Sequence, residues 1–143
     1  MDGLSRFAGP AHALLRIMAG LLFFEHGLQK FFSFPPGQMA GMGLALNNPA
    51  AFAGVIEFIC GALIALGLFT RLAAFLASGC MAVAYFMAHA PKDFFPVNNM
   101  GDAAILYCFI FLYLAAAGAG PWSLDGSRRR TVVTETEAET RAG

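Results

Sequence analysis

The sequence predicts an all-α, polytopic membrane protein built as a four-transmembrane-helix bundle. Three observations predict it. Charged residues make up only 13% of the 143 positions and hydrophobic residues 58%, whereas a soluble domain carries about 25% charged residues. Two stretches, 72–90 (LAAFLASGCMAVAYFMAHA) and 103–120 (AAILYCFIFLYLAAAGAG), contain no formal charge and approach the ~20 residues that cross a bilayer. Finally, these runs lack the polar stripe that each helix of a soluble bundle needs. Fifteen Phe and sixteen Gly suit lipid-facing and close-packed helix surfaces.

The first span covers about 11–32 and is the least apolar, since it contains Arg16, Glu25, His26 and Lys30. It is expected to insert with its neighbours rather than alone. It does not read as a cleavable signal, because Asp2 stands where a basic region should be and the apolar pattern continues past Arg16. A loop follows from Ser33 to Pro49, opened by Pro35-Pro36-Gly37 and closed by Asn47-Asn48-Pro49, both strong breakers. The apolar piece between them, QMAGMGLAL, is expected to lie on the membrane as a short helix or re-entrant segment.

The second span covers about 50–69. Thr70-Arg71 leaves almost no loop before the third span, about 72–90, so these two form a tight antiparallel hairpin. Pro91 and Pro96 end the third span, and the fourth covers about 102–119. Small residues recur at four-residue spacing on the third span (Ala74, Ser78, Ala82) and on the fourth (Ala115, Ala119), which would let helix backbones approach closely. Residues 1–126 thus form the transmembrane domain. The segment 127–143 (SRRRTVVTETEAETRAG) lacks aromatics and mixes acids with polar residues, the composition of a disordered tail.

Lys and Arg set the expected orientation. With both termini cytoplasmic, the inner side receives Arg6, Arg16, Arg71, Arg128, Arg129, Arg130 and Arg141, and the outer side only Lys30 and Lys92. That asymmetry favours N-in and C-in. Arg16 and Arg71 are expected to snorkel to the cytoplasmic headgroups.

In this orientation Glu25 and Glu57 both fall roughly 10 Å below the outer surface, at ~1.5 Å per residue. His26 shares their depth. His89 closes the third span and Asp102 opens the fourth at the same end, with Lys30 just above. An ionisable group inside a span is costly and usually faces a partner or a wet cavity. Glu25, His26, Lys30, Glu57, His89 and Asp102 are therefore the candidate ligand-site residues. Glu25, His26 and Glu57 are expected to line one cavity, and His89 and Asp102 its rim. Each also has a plainer role: Glu57 as a hydrogen-bond acceptor between helices, Glu25 as a partner of Lys30 or Lys92, His89 at a helix end, and Asp102 in a first turn facing the helix dipole.

The net charge of zero gives no electrostatic case for nucleic acid. Cys60, Cys80 and Cys108 fall in separate spans without a CxxC pair and read as small apolar fillers. No catalytic triad, phosphate loop or zinc spacing appears, so no catalytic residue is assigned and no metal is expected. A bis-histidine haem from His26 and His89 is disfavoured, since nothing beside them marks a porphyrin pocket. A quinone fits better: its headgroup needs proton donors and acceptors near an interface, and Glu, His, Tyr85 and Tyr107 offer them.

The pieces LLRIMAGLLFFEHGLQKFF (14–32), GVIEFICGALIALGLFTR (54–71) and GAGPWSLD (118–125) together resemble the DoxX family of small bacterial membrane proteins. The resemblance implies four transmembrane helices, a plasma-membrane location and a link to redox or oxidative-stress assemblies, hence redox-protein partners. Three functional readings stay open. One is a membrane subunit of such an assembly with a quinone-like or proton-linked site. The second is a non-catalytic scaffold that recruits partners. The third is a small carrier acting as a homo-oligomer.

Overall fold

The structure, a computed structural model, describes residues 3–37, 40–41 and 48–128. The expectations for the 38–46 piece and for the tail fall largely on residues outside these. Residues 124–128 form a helical turn, so regular structure runs two residues past the expected start of the tail.

Among the described residues there are helices and turns but no strands. A 3₁₀ turn, Ser5–Phe7, leads into α1 (Ala8–Phe32). Then follow α2 (Pro49–Leu66), α3 (Thr70–Ala84), a π-helical turn (Tyr85–His89), the short α4 (Pro96–Asn99) and α5 (Asp102–Ala117). Helix α1 with its leading turn, α2, and α3 with its π turn are each long and apolar enough to cross a membrane. Helix α5 is shorter at 16 residues, about 24 Å. The chain is thus the polytopic helical bundle that its composition predicts. The two ends are called outer and inner after the side that the Lys and Arg count assigns to each.

Local chemistry sets the boundaries. Pro49 occupies the first turn of α2, and the Asn48 side chain accepts from the Ala50 amide at 3.0 Å, a standard cap. Helix α2 stops at Leu66, earlier than the expected 69, because Gly67 adopts φ +69° and donates back to Ile64. Helix α3 starts at Thr70 rather than 72. Its first amides are capped from far along the chain: Asp125 accepts from the Phe69 amide, the Thr70 amide and the Thr70 hydroxyl, each at 3.0 Å.

Two helix pairs make the bundle, α1 with α2 and α3 with α5, and α2 joins them through α3. The α1–α2 seam is a glycine contact. A Cβ on Gly20 would come within 2.5 Å of the Ala65 nitrogen, on Gly27 within 2.6 Å of the Phe58 nitrogen, and on Gly61 within 2.5 Å of the Phe24 nitrogen. The second pair meets through buried Ala73, Ala74, Ala77 and Ser78, and the Ser78 hydroxyl donates to the Cys108 carbonyl at 2.8 Å. Phe23, Ile64, Met81, Phe111 and Leu114 fill the space between the pairs. Leu72, Phe75, Phe86, Leu106 and Phe109 point outward, as a lipid-facing surface requires.

A candidate polar site beneath the outer end

The buried face of α1 carries Ala13, Arg16, Gly20, Phe23, Gly27 and Lys30, alternating three- and four-residue steps. The seam of α2 repeats the pattern with Gly54, Glu57, Gly61 and Ile64. Lys30 and Glu57 therefore face each other. The Lys30 Nζ lies 2.7 Å from each Glu57 oxygen, and the two residues are 6% and 4% exposed. Helix side chains lean toward the N-terminus, so the Lys30 stem runs down the seam from near the outer end to the deeper carboxylate. Gly54 leaves room for it, since a Cβ there would come 3.0 Å from the Lys30 Cδ. Cys80 of α3 lies within electrostatic range of this pair and of Cys60, and all three cysteines are free.

Glu25 lies elsewhere. It is two residues from Phe23, which turns it to the side of α1 away from the core, and it is exposed. It makes no hydrogen bond or ion pair with any described residue. His26 is also exposed. Its Nδ1 donates to the Leu22 carbonyl at 2.7 Å, which leaves Nε2 outward, and its ring meets Tyr107 edge-on at 6.2 Å. The Tyr107 hydroxyl lies within electrostatic range of both Glu25 and Glu57. The six candidates thus divide. Lys30 and Glu57 form one buried pair, while Glu25 and His26 are exposed on α1, where the His26 ring meets Tyr107 of α5. His89 donates from Nδ1 to the Asn99 carbonyl at 3.0 Å and stacks on Tyr85, which ties it to the loop before α5. Asp102 is exposed in the first turn of α5 without a side-chain cap bond. No group of three or more His, Cys, Asp or Glu that could hold a metal gathers among the described residues.

The inner end corrects one expectation. Arg16 does not snorkel but is fully buried. Its guanidinium donates to the carbonyls of Ile64, Ala65 and Trp122 at 2.6–2.8 Å and to that of Pro121 at 3.4 Å, locking the end of α2 to the turn after α5. Arg71 is exposed at this end and anchored there: it donates to the carbonyls of Ala115, Ala116 and Ala117, where a cation suits the helix C-terminus. His12 bonds the Tyr113 hydroxyl and the Gly118 carbonyl, both at 3.0 Å. The partners of Arg16, His12 and Asp125 are functional contacts that the sequence does not announce. The alternating buried steps on α1 were the available signal for Arg16, while the span from Asp125 to Thr70 left none.

A family model described as DoxX matches residues 11–90. An uncharacterized protein of Haemophilus influenzae is 41% identical over 128 residues, covering 87% of this chain and 96% of that protein. An uncharacterized membrane protein of Mycobacterium tuberculosis is 33% identical over 132 residues, covering 81% of this chain and 80% of that one. No solved structure matches.

Proposed function

The chain belongs to the DoxX family, and from that premise we propose that it is the membrane subunit of a redox- or oxidative-stress-linked assembly in the bacterial plasma membrane. Its outer half carries a proton-linked site for a quinone-like headgroup, formed by Glu25, His26 and Tyr107 over the Lys30–Glu57 pair. The observation that carries this reading is Glu25. It is a carboxylate with no hydrogen bond or ion pair among the described residues, on the outward face of a spanning helix, roughly 10 Å below its end. A bare carboxylate in hydrocarbon is costly. A bound headgroup with a hydroxyl or carbonyl beside Glu25, His26 and Tyr107 would relieve that cost and give the group protons to exchange. The test is to purify the protein and identify co-purified lipid-soluble molecules, then to label it with a photoreactive quinone analogue. Labelling should fall on the segment around Glu25 and drop at least severalfold in Glu25→Gln. Equal labelling of both proteins, with no quinone recovered, would remove this reading.

A second reading is favoured by the pairing of Glu57. Both of its oxygens accept from Lys30, so the pair fixes α1 on α2 without any ligand. The protein would then be a scaffold whose exposed Glu25–His26 face meets a partner's helix or a second copy of this chain, and the carrier reading would also need such an oligomer. Crosslinking from position 25 to protein rather than to the quinone analogue would favour it.

A further inference from the structure

We propose that the inner end of the α3–α5 pair carries a binding site for a phospholipid with a primary-amine headgroup, phosphatidylethanolamine in chemistry. The site is the groove of about 550 Å³ between the start of α3 and the turn after α5, lined by Arg71, Asp125, Phe69, Leu72 and Gly118. It lies at the opposite end from the Glu25 face and does not depend on the function proposed there.

The charges in the groove are of both signs, and each has unused capacity. Arg71 spends both Nη1 hydrogens on Ala115 and Ala116 and one Nη2 hydrogen on Ala117. Its Nε–H and second Nη2–H make no hydrogen bond with a described residue. Those two donors form one edge of the guanidinium, the fork that takes a phosphate through two parallel bonds. Gly118, at φ +89°, lies directly on this group, and a Cβ there would come 3.1 Å from the Arg71 Nη2. Asp125 accepts one bond on Oδ1 and two on Oδ2, which leaves acceptor sites on a carboxylate that has about four. Its removal from water raises its pKa, but the amides of Thr70 and Phe69, the Thr70 hydroxyl and nearby Arg128 together outweigh this and hold it below the usual value. Asp125 therefore remains an anion able to receive an ammonium.

The order of the groups along the membrane normal fits one class of headgroup. Arg71 holds its guanidinium at the last carbonyls of α5, Ala115–Ala117, from the first turn of α3. Asp125 lies beyond the start of that helix, where it caps the first amides. A phosphate attached to glycerol would meet Arg71, and the ammonium two carbons further from the bilayer would meet Asp125. Leu72, one residue further into α3 than Arg71, is exposed beside the groove at 62% and supplies an apolar wall for an acyl chain. A free phosphate or a soluble amine would have no use for that wall. A purely anionic headgroup would place no cation on Asp125. A quaternary ammonium could not donate hydrogen bonds to it.

Native mass spectrometry of the full-length protein, titrated with chain-matched phosphatidylethanolamine, phosphatidylcholine and phosphatidylglycerol, tests the assignment. The ethanolamine lipid should bind roughly fivefold more tightly than the choline lipid, the margin expected for one charge-assisted hydrogen bond near water. Arg71→Gln should weaken both, and Asp125→Asn should bring the ethanolamine lipid down to the choline level. Because Asp125 also caps α3, the comparison of lipids on the unmodified protein decides the matter if that variant fails to fold. Equal affinity for the ethanolamine and choline lipids, or preference for phosphatidylglycerol, would overturn the proposal.

Discussion

Lys30 and Glu57 are paired, yet they are unequal in what each can do alone. Lys30 stands two residues from the end of α1, so without Glu57 its flexible stem can lift the ammonium to the interface. Glu57 is eight residues inside α2, roughly 12 Å deep, and cannot withdraw. Lys30→Met should therefore cost about 3 kcal/mol in a membrane-based unfolding assay, and Glu57→Leu about 1 kcal/mol, since stranding a buried charge costs more than removing one. The double substitution should recover most of the Lys30→Met loss. Equal costs for the two single variants would mean that Lys30 is as trapped as Glu57. Asp125 gives a separate prediction. Its pKa is lowered in the fold, so its contribution is fully present above the ordinary carboxylate pKa. It is lost as the pH falls through the lower folded value. Asp125→Asn should cost about 1 kcal/mol near neutral pH, because an amide nitrogen replaces one accepting oxygen and leaves at least one of the Phe69 and Thr70 donors without its acceptor. It should also flatten the acid limb of the stability curve below the usual carboxylate range. An unchanged acid limb would place that pH dependence on another group.

At the scale of the helices, the α1–α2 seam is the least forgiving surface. The nearest atoms that an added Cβ would strike at Gly20, Gly27 and Gly61 are backbone atoms of the facing helix, and backbone cannot step aside as a side chain can. Gly61→Ala should destabilise by about 2 kcal/mol, the range for overpacking a close contact. Gly79, in α3, meets nothing within 4 Å, so Gly79→Ala should be neutral or stabilise by up to ~1 kcal/mol through helix propensity alone. Thermal unfolding of the two variants side by side in the same detergent makes the comparison. Equal effects would show that the seam relaxes freely. This seam also orients the site, because it turns Lys30 and Glu57 inward and thereby turns Glu25 outward.

For the whole molecule, the open question with the widest consequence is sidedness. We expect both termini to be cytoplasmic, on the distribution of Lys and Arg. Single cysteines at Ser127 and Lys92 in a cysteine-free background test it. An impermeant thiol reagent on intact cells should label position 92 and spare 127. The reverse pattern would move the Glu25 face to the inner leaflet and the Arg71–Asp125 groove to the outer one.

The sequence by itself determined the class and the spans. Apolar runs of membrane length are a local property, and breakers such as Pro49 and Gly67 act within a turn or two of where they stand. It also located the ionisable residues along each span, because depth follows from counting residues along a helix. It did not determine which of those residues meet. Glu25 and Glu57 lie at similar depth, but depth leaves rotation about the helix axis undefined. Packing decided that rotation through the glycine contacts of α1 and α2, giving Lys30 to Glu57 and leaving Glu25 outside. The inner network was further from reach. Asp125 caps α3 across 55 residues, and Arg16 is held by carbonyls at the end of α2 and in the turn after α5. Backbone carbonyls are present at every position of any sequence, so only the folded arrangement decides which of them converge on a buried cation.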